Sequence, residues 1–249
     1  MNYGICNLSI VSLRFENSDR SEMVSQVLYG DLFELLEITK KWSRIRLTYD
    51  NYEGWIDNKQ FISLTENEYD QLNQLSTKLS INLLDIITTS TNELIPISIG
   101  SNVGVIDYFN HSFDGAINDF SFSKSKIIES AYLYLNSPYL WGGKTPFGID
   151  CSGFTQMVYK LNGIQLFRDA SQQVNQGEAL SFIEESVPGD LAFFDDDIGN
   201  ITHVGIIMKN NQIIHAHGKV RIDHLDHSGI FNNESQKHTH KLRVIKRIV

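Results

Sequence analysis

The stretch Trp141-Gly-Gly-Lys-Thr-Pro-Phe-Gly-Ile-Asp-Cys151-Ser-Gly-Phe-Thr-Gln156 decides how this chain is read. A glycine-rich turn runs straight into an apolar-periodic segment over 151–161. Phe154, Val158 and Leu161 share one helical face, and Gly163 stands beyond the end as a stop. Cys151 therefore sits where a helix begins. The positive end of a helix dipole favours an anion there, and Asp150 suits the N-cap that accepts first-turn amides. A free thiol titrates at about 8.5, so a helix N-terminus and a neighbouring imidazolium are what turn a cysteine into a nucleophilic thiolate. Backbone N–H groups at the same place can stabilise a tetrahedral oxyanion.

Two histidines follow. His203 opens the strand-like run 203–208, and His215 ends the run 212–215. A turn over 209–212 joining two antiparallel strands brings them side by side, one as base and one to orient it. Taken singly, a cysteine is more often packing than nucleophile and a strand histidine is usually a surface or cavity residue. Their joint context points to a cysteine hydrolase. Zinc is the rival reading of Cys plus His, but no C-x-x-C or H-x-x-x-H spacing accompanies these residues. No metal and no organic cofactor is expected.

Working outward, residues 1–64 alternate short apolar runs (8–13, 32–38, 42–47, 54–57) with Gly, Asn and Asp breaks, the pattern of a small β-barrel. Residues 65–79 form a polar connector with a helical tendency from 66 onward. Residues 80–118 are β-rich again, with strands expected over 83–87, 94–99 and 103–106 and Pro96 at an edge or strand end. They read as a second, reduced barrel or as a linker. From 124 to 249 the character is α+β. Helices are expected over 124–135 and 151–161, with a third helical start over 171–176. Strands follow at 191–194, 203–208, 212–215, 219–222 and 242–249.

The totals bound the function. A chain of 249 residues with a formal net charge of −9 lacks the basic stripe of a nucleic-acid binder and is disfavoured at anionic membranes. No apolar run reaches the length of about 18 residues that suggests a membrane span. The N-terminus has no basic start followed by an apolar core. A cytoplasmic protein with neither nucleic-acid nor membrane partner is expected. Cys6 and Cys151 are expected to be free thiols, with Cys6 a small buried apolar residue.

Six motifs in order carry a resemblance: Pro138-Tyr-Leu-Trp-Gly-Gly143, Gly148-Ile-Asp-Cys-Ser-Gly-Phe154, Arg168-Asp-Ala-Ser171, Pro188-Gly-Asp-Leu191, Thr202-His-Val-Gly-Ile206 and Ile213-Ile-His-Ala216. The segment 124–249 resembles the catalytic domain of NlpC-type cell-wall cysteine peptidases, a compact papain-like fold with helices packed on an antiparallel sheet. The resemblance implies Cys151 as nucleophile, His203 as general base and His215 as the orienting group. Gly30-Asp31, Trp42 and Asn51-Tyr-Glu-Gly-Trp55 resemble the bacterial SH3-like modules that precede this peptidase in one subgroup. Those relatives resemble γ-D-glutamyl-L-diamino acid endopeptidases, which cut murein stem peptides and require a free N-terminal L-alanine.

The same resemblance implies that Tyr52 contacts the substrate's amino end, that Glu22 and Asp169 help hold its ammonium, and that Trp141, Asp150 and Ser152 line the cleft. An ammonium in a partly closed pocket does need carboxylate partners. Without the resemblance, Tyr52 reads as a cross-strand partner, Glu22 as a solvated turn residue and Trp141 as core filler. His217 departs from the family pattern, which carries a small residue there; it either crowds His215 or adds a second titrating group. His224, His227, His238 and His240 read as surface residues. The expected activity is endopeptidase cleavage of murein stem peptides in cell-wall peptide recycling. The rivals are a non-catalytic wall-peptide binder and an amidase or transpeptidase on the same scaffold.

Overall fold

The computed structural model describes residues 2–118, 120 and 123–249. The chain divides into two units, residues 1–119 with 141–146 and residues 120–140 with 147–249.

The first unit opens with seven short strands: β1 (Tyr3–Ile5), β2 (Ile10–Arg14), β3 (Met23–Leu28), β4 (Leu32–Ile38), β5 (Trp42–Leu47), β6 (Glu53–Asp57) and β7 (Ile62–Leu64). They form one antiparallel sheet in the order β3-β2-β6-β5-β4-β1-β7. The alternation legible at 32–38 and 42–47 ends on the bounds of β4 and β5. Period-two patterning puts Val11, Leu13, Phe33, Leu35, Ile45, Leu47 and Ile56 into one cluster, and Cys6 is buried among them as expected. Helix α1 (Glu66–Asn73) starts at Thr65. Its hydroxyl takes the Glu68 N–H while the Glu68 carboxylate takes the Thr65 N–H, a reciprocal cap.

Residues 80–118 contain one hairpin, β8 (Leu84–Thr88) with β9 (Leu94–Ser98), in which Pro96 lies opposite Ile86. The strand expected over 103–106 is instead a 3-10 turn (Val103–Val105) running into α2 (Ile106–Phe109). The Asn102 side chain accepts the Gly104 N–H at 3.0 Å and starts that turn. Ile87, Ile97, Val103 and Val105 share a cluster with Ile5, Tyr29, Leu32 and Leu64. The segment thus extends the core of the preceding strands, where a second barrel would have a core of its own.

The second unit carries α3 (Lys124–Leu133), α4 (Cys151–Leu161) and α5 (Ala170–Gln173). Two-residue strands β10 (Lys144–Thr145) and β11 (Gly148–Ile149) precede α4 in sequence. The main sheet has β12 (Glu178–Leu180), β13 (Leu191–Asp195), β14 (Ile201–Met208), β15 (Gln212–His217), β16 (Lys219–Asp226), β17 (Gly229–Asn232) and β18 (Lys237–Arg247), in the order β12-β18-β13-β14-β15-β16-β17. Because β17 also pairs with β18, strands β13 to β18 close on themselves as a six-stranded barrel. Each of the six contributes to one apolar cluster: Ala192 and Phe194, Ile207, Ile213, Leu225, Ile230 and Ile245. That cluster fills the barrel's interior. Helix α4, with all eleven residues buried, packs outside against β14 and β15.

Candidate active site

Cys151 is the first residue of α4, as its sequence context requires. Asp150 is the N-cap, and its carboxylate accepts the Gly153 N–H at 2.6 Å. Behind it lies Arg168, 1% exposed, donating to both Asp150 oxygens at 3.0 and 2.7 Å and to Ser152 Oγ at 3.0 Å. Gln173 ties the same turn to α5. It accepts from Thr155 Oγ1 at 2.7 Å and donates to the Ser152 carbonyl at 3.0 Å. Asp150 and Ser152, expected along the cleft, are engaged in fixing the nucleophile's helix. Arg168, a member of the quoted Arg-Asp-Ala-Ser motif, had not been singled out. Asp169 starts α5, where its N–H bonds Gln172 Oε1 at 3.2 Å, and its side chain is half-buried.

His203 and His215 lie on adjacent antiparallel strands, with Gly205 directly opposite His215. Gly205 has to be small: a Cβ there would stand 2.9 Å from the His215 Cβ. Both rings share the sheet face of Ile207 and Ile213, so they occupy one end of the barrel interior. His203 Nε2 meets His215 Nδ1 at 2.8 Å, and His215 Nε2 meets Asp223 Oδ2 at 3.2 Å. Arg221 grips Asp223 at 2.6 and 3.1 Å, and the Asn233 N–H adds a bond at 3.1 Å. Asp223 was not foreseen. Only the β15–β16 register, which sets it opposite Ile213, brings it to His215.

A buried cysteine on a helix N-terminus beside a His–His–Asp chain invites comparison with known proteins. Residues 136–243 match the NlpC/P60 family, and residues 13–61 match the bacterial dipeptidyl-peptidase Sh3 domain. The chain carries an NlpC/P60 domain behind a bacterial SH3 domain. It is 26% identical to dipeptidyl-peptidase 6 of Lysinibacillus sphaericus, over 87% of this chain and 89% of that protein. It is 25% identical to a gamma-D-glutamyl-L-lysine dipeptidyl-peptidase of Bacillus cereus, over 80% of this chain and 68% of that one. The crystal structure of an NlpC/P60 family protein from Bacillus cereus shares the fold, with a TM-score of 0.79 at 18% identity across 99% of each chain.

Inside the NlpC/P60 domain, electrostatics correct one expectation. Burial pushes the Cys151 thiol up to about 12, helped by the neighbouring Asp150 carboxylate. Hydrogen bonds from the Val204 and Ser152 N–H groups and the Arg168 charge pull the other way and do not win. The resting group is a thiol, where the helix dipole alone argued for a thiolate. One of the groups that pull it back down is the backbone of Val204, the residue next to His203. His203 is held neutral, well below the usual imidazole range, by burial and then by repulsion from His215, His240 and His217. Burial also lowers His215, against the opposing pull of Asp223. Asp223 is pushed up by burial, but its bonds from His215, Arg221 and Asn233 together outweigh this and hold it well below the carboxylate range.

Two further imidazoles surround the base. His240, expected on the surface, is half-buried and stacks on His203 with ring centres 4.1 Å apart and planes inclined by 25°. Burial drives it down to about 3. The reason for the difference is strand order: Phe194 of β13 pairs with His203 on one side and with Leu242 of β18 on the other, which brings the last strand close to the first histidine. His217 is exposed and lies 6.3 Å from His215, adding a ring to the rim without displacing the His203–His215 bond. His224 is half-buried, while His227 and His238 are exposed and pair with Glu184 and Asp226. Tyr139 lines the same cavity as His203, and burial pushes its hydroxyl up to about 12, so it stays a donor.

In the other unit, two expected site residues of distant sequence position meet: Trp141 Nε1 donates to Glu22 Oε1 at 2.5 Å. Trp141 is 59% exposed, which rules out core filler. Gly142 makes the approach possible, since its φ is +75° and a Cβ would stand 2.2 Å from the Met23 carbonyl oxygen. The Lys144 N–H bonds Gln26 Oε1 at 2.7 Å just beyond. Tyr52 is half-buried against the SH3 domain's core cluster, and its N–H bonds Asp50 at 3.0 Å.

Proposed function

We propose that this chain is a cysteine peptidase that hydrolyses the γ-D-glutamyl-L-diamino acid bond of murein stem peptides bearing a free N-terminal L-alanine. The observation that carries the chemistry is the unbroken hydrogen-bond chain His203–His215–Asp223, whose two histidines lie on the strands against which the helix presenting Cys151 packs. The relatives' names support the substrate. Because the resting thiol and imidazole are both neutral, ionisation accompanies attack. Cys151 Sγ bonds the γ-carbonyl carbon as its proton passes to His203, and His215, oriented by Asp223, stabilises the imidazolium. The negative oxygen of the tetrahedral intermediate takes N–H groups at the start of α4. His203 then returns the proton to the leaving nitrogen, the C–N bond breaks and a thioester remains. Water, deprotonated by His203, releases the L-Ala-γ-D-Glu half and restores the thiol.

Glu22 and Tyr52 are proposed to receive the alanine ammonium, with Trp141 covering it. The Glu22–Trp141 bond supports this, because it holds a carboxylate at a fixed position, with its second oxygen unbonded among the described residues. A demand for a free amine suits fragments already detached from the wall, hence cytoplasmic recycling. Mass spectrometry of a stem tripeptide and its N-acetyl form after incubation tests the reading. Cleavage of the free-amine form alone into L-Ala-γ-D-Glu and the diamino acid is expected. Equal cleavage of both forms removes the amine site.

A further inference from the structure

The rim of the NlpC/P60 barrel holds two imidazoles that hydrolysis does not use. His217 stands with its ring centre 6.4 Å from His203 and 4.8 Å from His240, and His240 lies face-on against His203. With Tyr139 and Thr202 they wall a cavity of about 320 Å³ that has His203 as one side and does not include Cys151.

Reaction chemistry decides which half of a substrate enters that cavity. The acyl half stays on the sulfur. The leaving nitrogen must reach His203 to collect its proton, so the leaving residue runs past this ring into the space beyond. In an L-diamino acid the carbon that bears this nitrogen also bears the α-carboxylate. That group is therefore carried toward His217 and His240.

Both rings have the means to receive it. His217 makes ring contacts but has no hydrogen-bond or ion-pair partner among the described residues. His240 shares one nitrogen with Thr239 Oγ1 at 2.9 Å, which leaves the other for a ligand. The neighbouring carboxylate, Asp223, is already taken by His215 and Arg221. We infer that His217 and His240 form a subsite for the free carboxylate of the leaving diamino acid, so that the enzyme prefers peptides ending at that residue. This deepens the proposed function and rests on it.

The test compares L-Ala-γ-D-Glu-L-diamino acid with its C-terminal carboxamide. The wild-type protein is expected to favour the free acid in kcat/KM by about tenfold, the size of one charge-assisted hydrogen bond. A His217→Ala/His240→Phe double variant keeps an aromatic face on His203 but loses both N–H donors. Its preference should fall to near one. Because the ratio is taken within one protein, it does not depend on how much of the variant folds. Equal cleavage of acid and amide by the wild type, or a ratio undiminished in the double variant, overturns the subsite alone. Cleavage of neither peptide by the wild type overturns the peptidase reading and the subsite with it.

Discussion

Asp150 and Asp223 are both buried carboxylates gripped by an arginine, at 5% and 0% exposure, yet they work in opposite senses. Asp150 gives its oxygens to a helix cap, to Arg168 and to Ser152, and its charge raises the thiol beside it. Asp223 gives an oxygen to His215 and so favours positive charge on the imidazoles. The difference is one of geometry. A carboxylate turned into its own helix is a structural anchor, and one turned across a strand pair sets the tautomer of its neighbour.

The sharpest way to break this contrast is Asp223→Asn. An amide leaves the shape but misorients His215, and kcat should fall on the order of 10⁴-fold, as loss of a triad carboxylate does elsewhere. Steady-state kinetics at a temperature where the variant is folded reads this, and a loss below tenfold would remove Asp223 from the mechanism. Asp150→Asn should instead appear in stability. Arg168 is left buried without its counter-charge, a loss of about 3–5 kcal/mol in denaturant unfolding. Rate constants for its folded fraction should fall less than those of Asp223→Asn.

The smaller effect is in pH. His203, His215 and His240 have folded-state pKa values below that of a free imidazole. The unfolded chain therefore binds protons that the folded chain refuses. Stability from these groups is full above about 6.5 and declines as pH falls below it. Asp223, also depressed, loses its contribution only in far more acid solution. Chemical denaturation at both pH values checks the sign. Stability that is flat or rising toward pH 5 would contradict neutral burial of the imidazoles.

What was legible in the sequence follows the range of the interactions. The start of α4 is written locally, in the Gly-rich turn, Asp150 and the apolar period, and it emerged with its bounds intact. His203 and His215 are joined by a short hairpin, so their meeting was legible too. Asp223 was not, because Arg221, Asp223 and Leu225 look like any half-buried alternation until the β15–β16 register is known. His240 escaped for a larger reason: β18 comes near His203 through β13, whose Phe194 pairs with His203 on one side and Leu242 on the other, and a bulge at Phe193/Phe194 leaves the β13–β18 pairing no clean sequence period. At Val103–Val105 the apolar spacing suited a strand, and a side-chain cap from Asn102 made a 3-10 turn instead.

The central claim is that hydrolysis passes through the Cys151 sulfur. Cys151→Ala removes that atom while keeping the helix, and circular dichroism should show an unchanged fold. Mass spectrometry of a stem tripeptide incubated with each protein should then find L-Ala-γ-D-Glu with the wild type and only intact substrate with the variant. The same products from a folded Cys151→Ala protein would contradict the account.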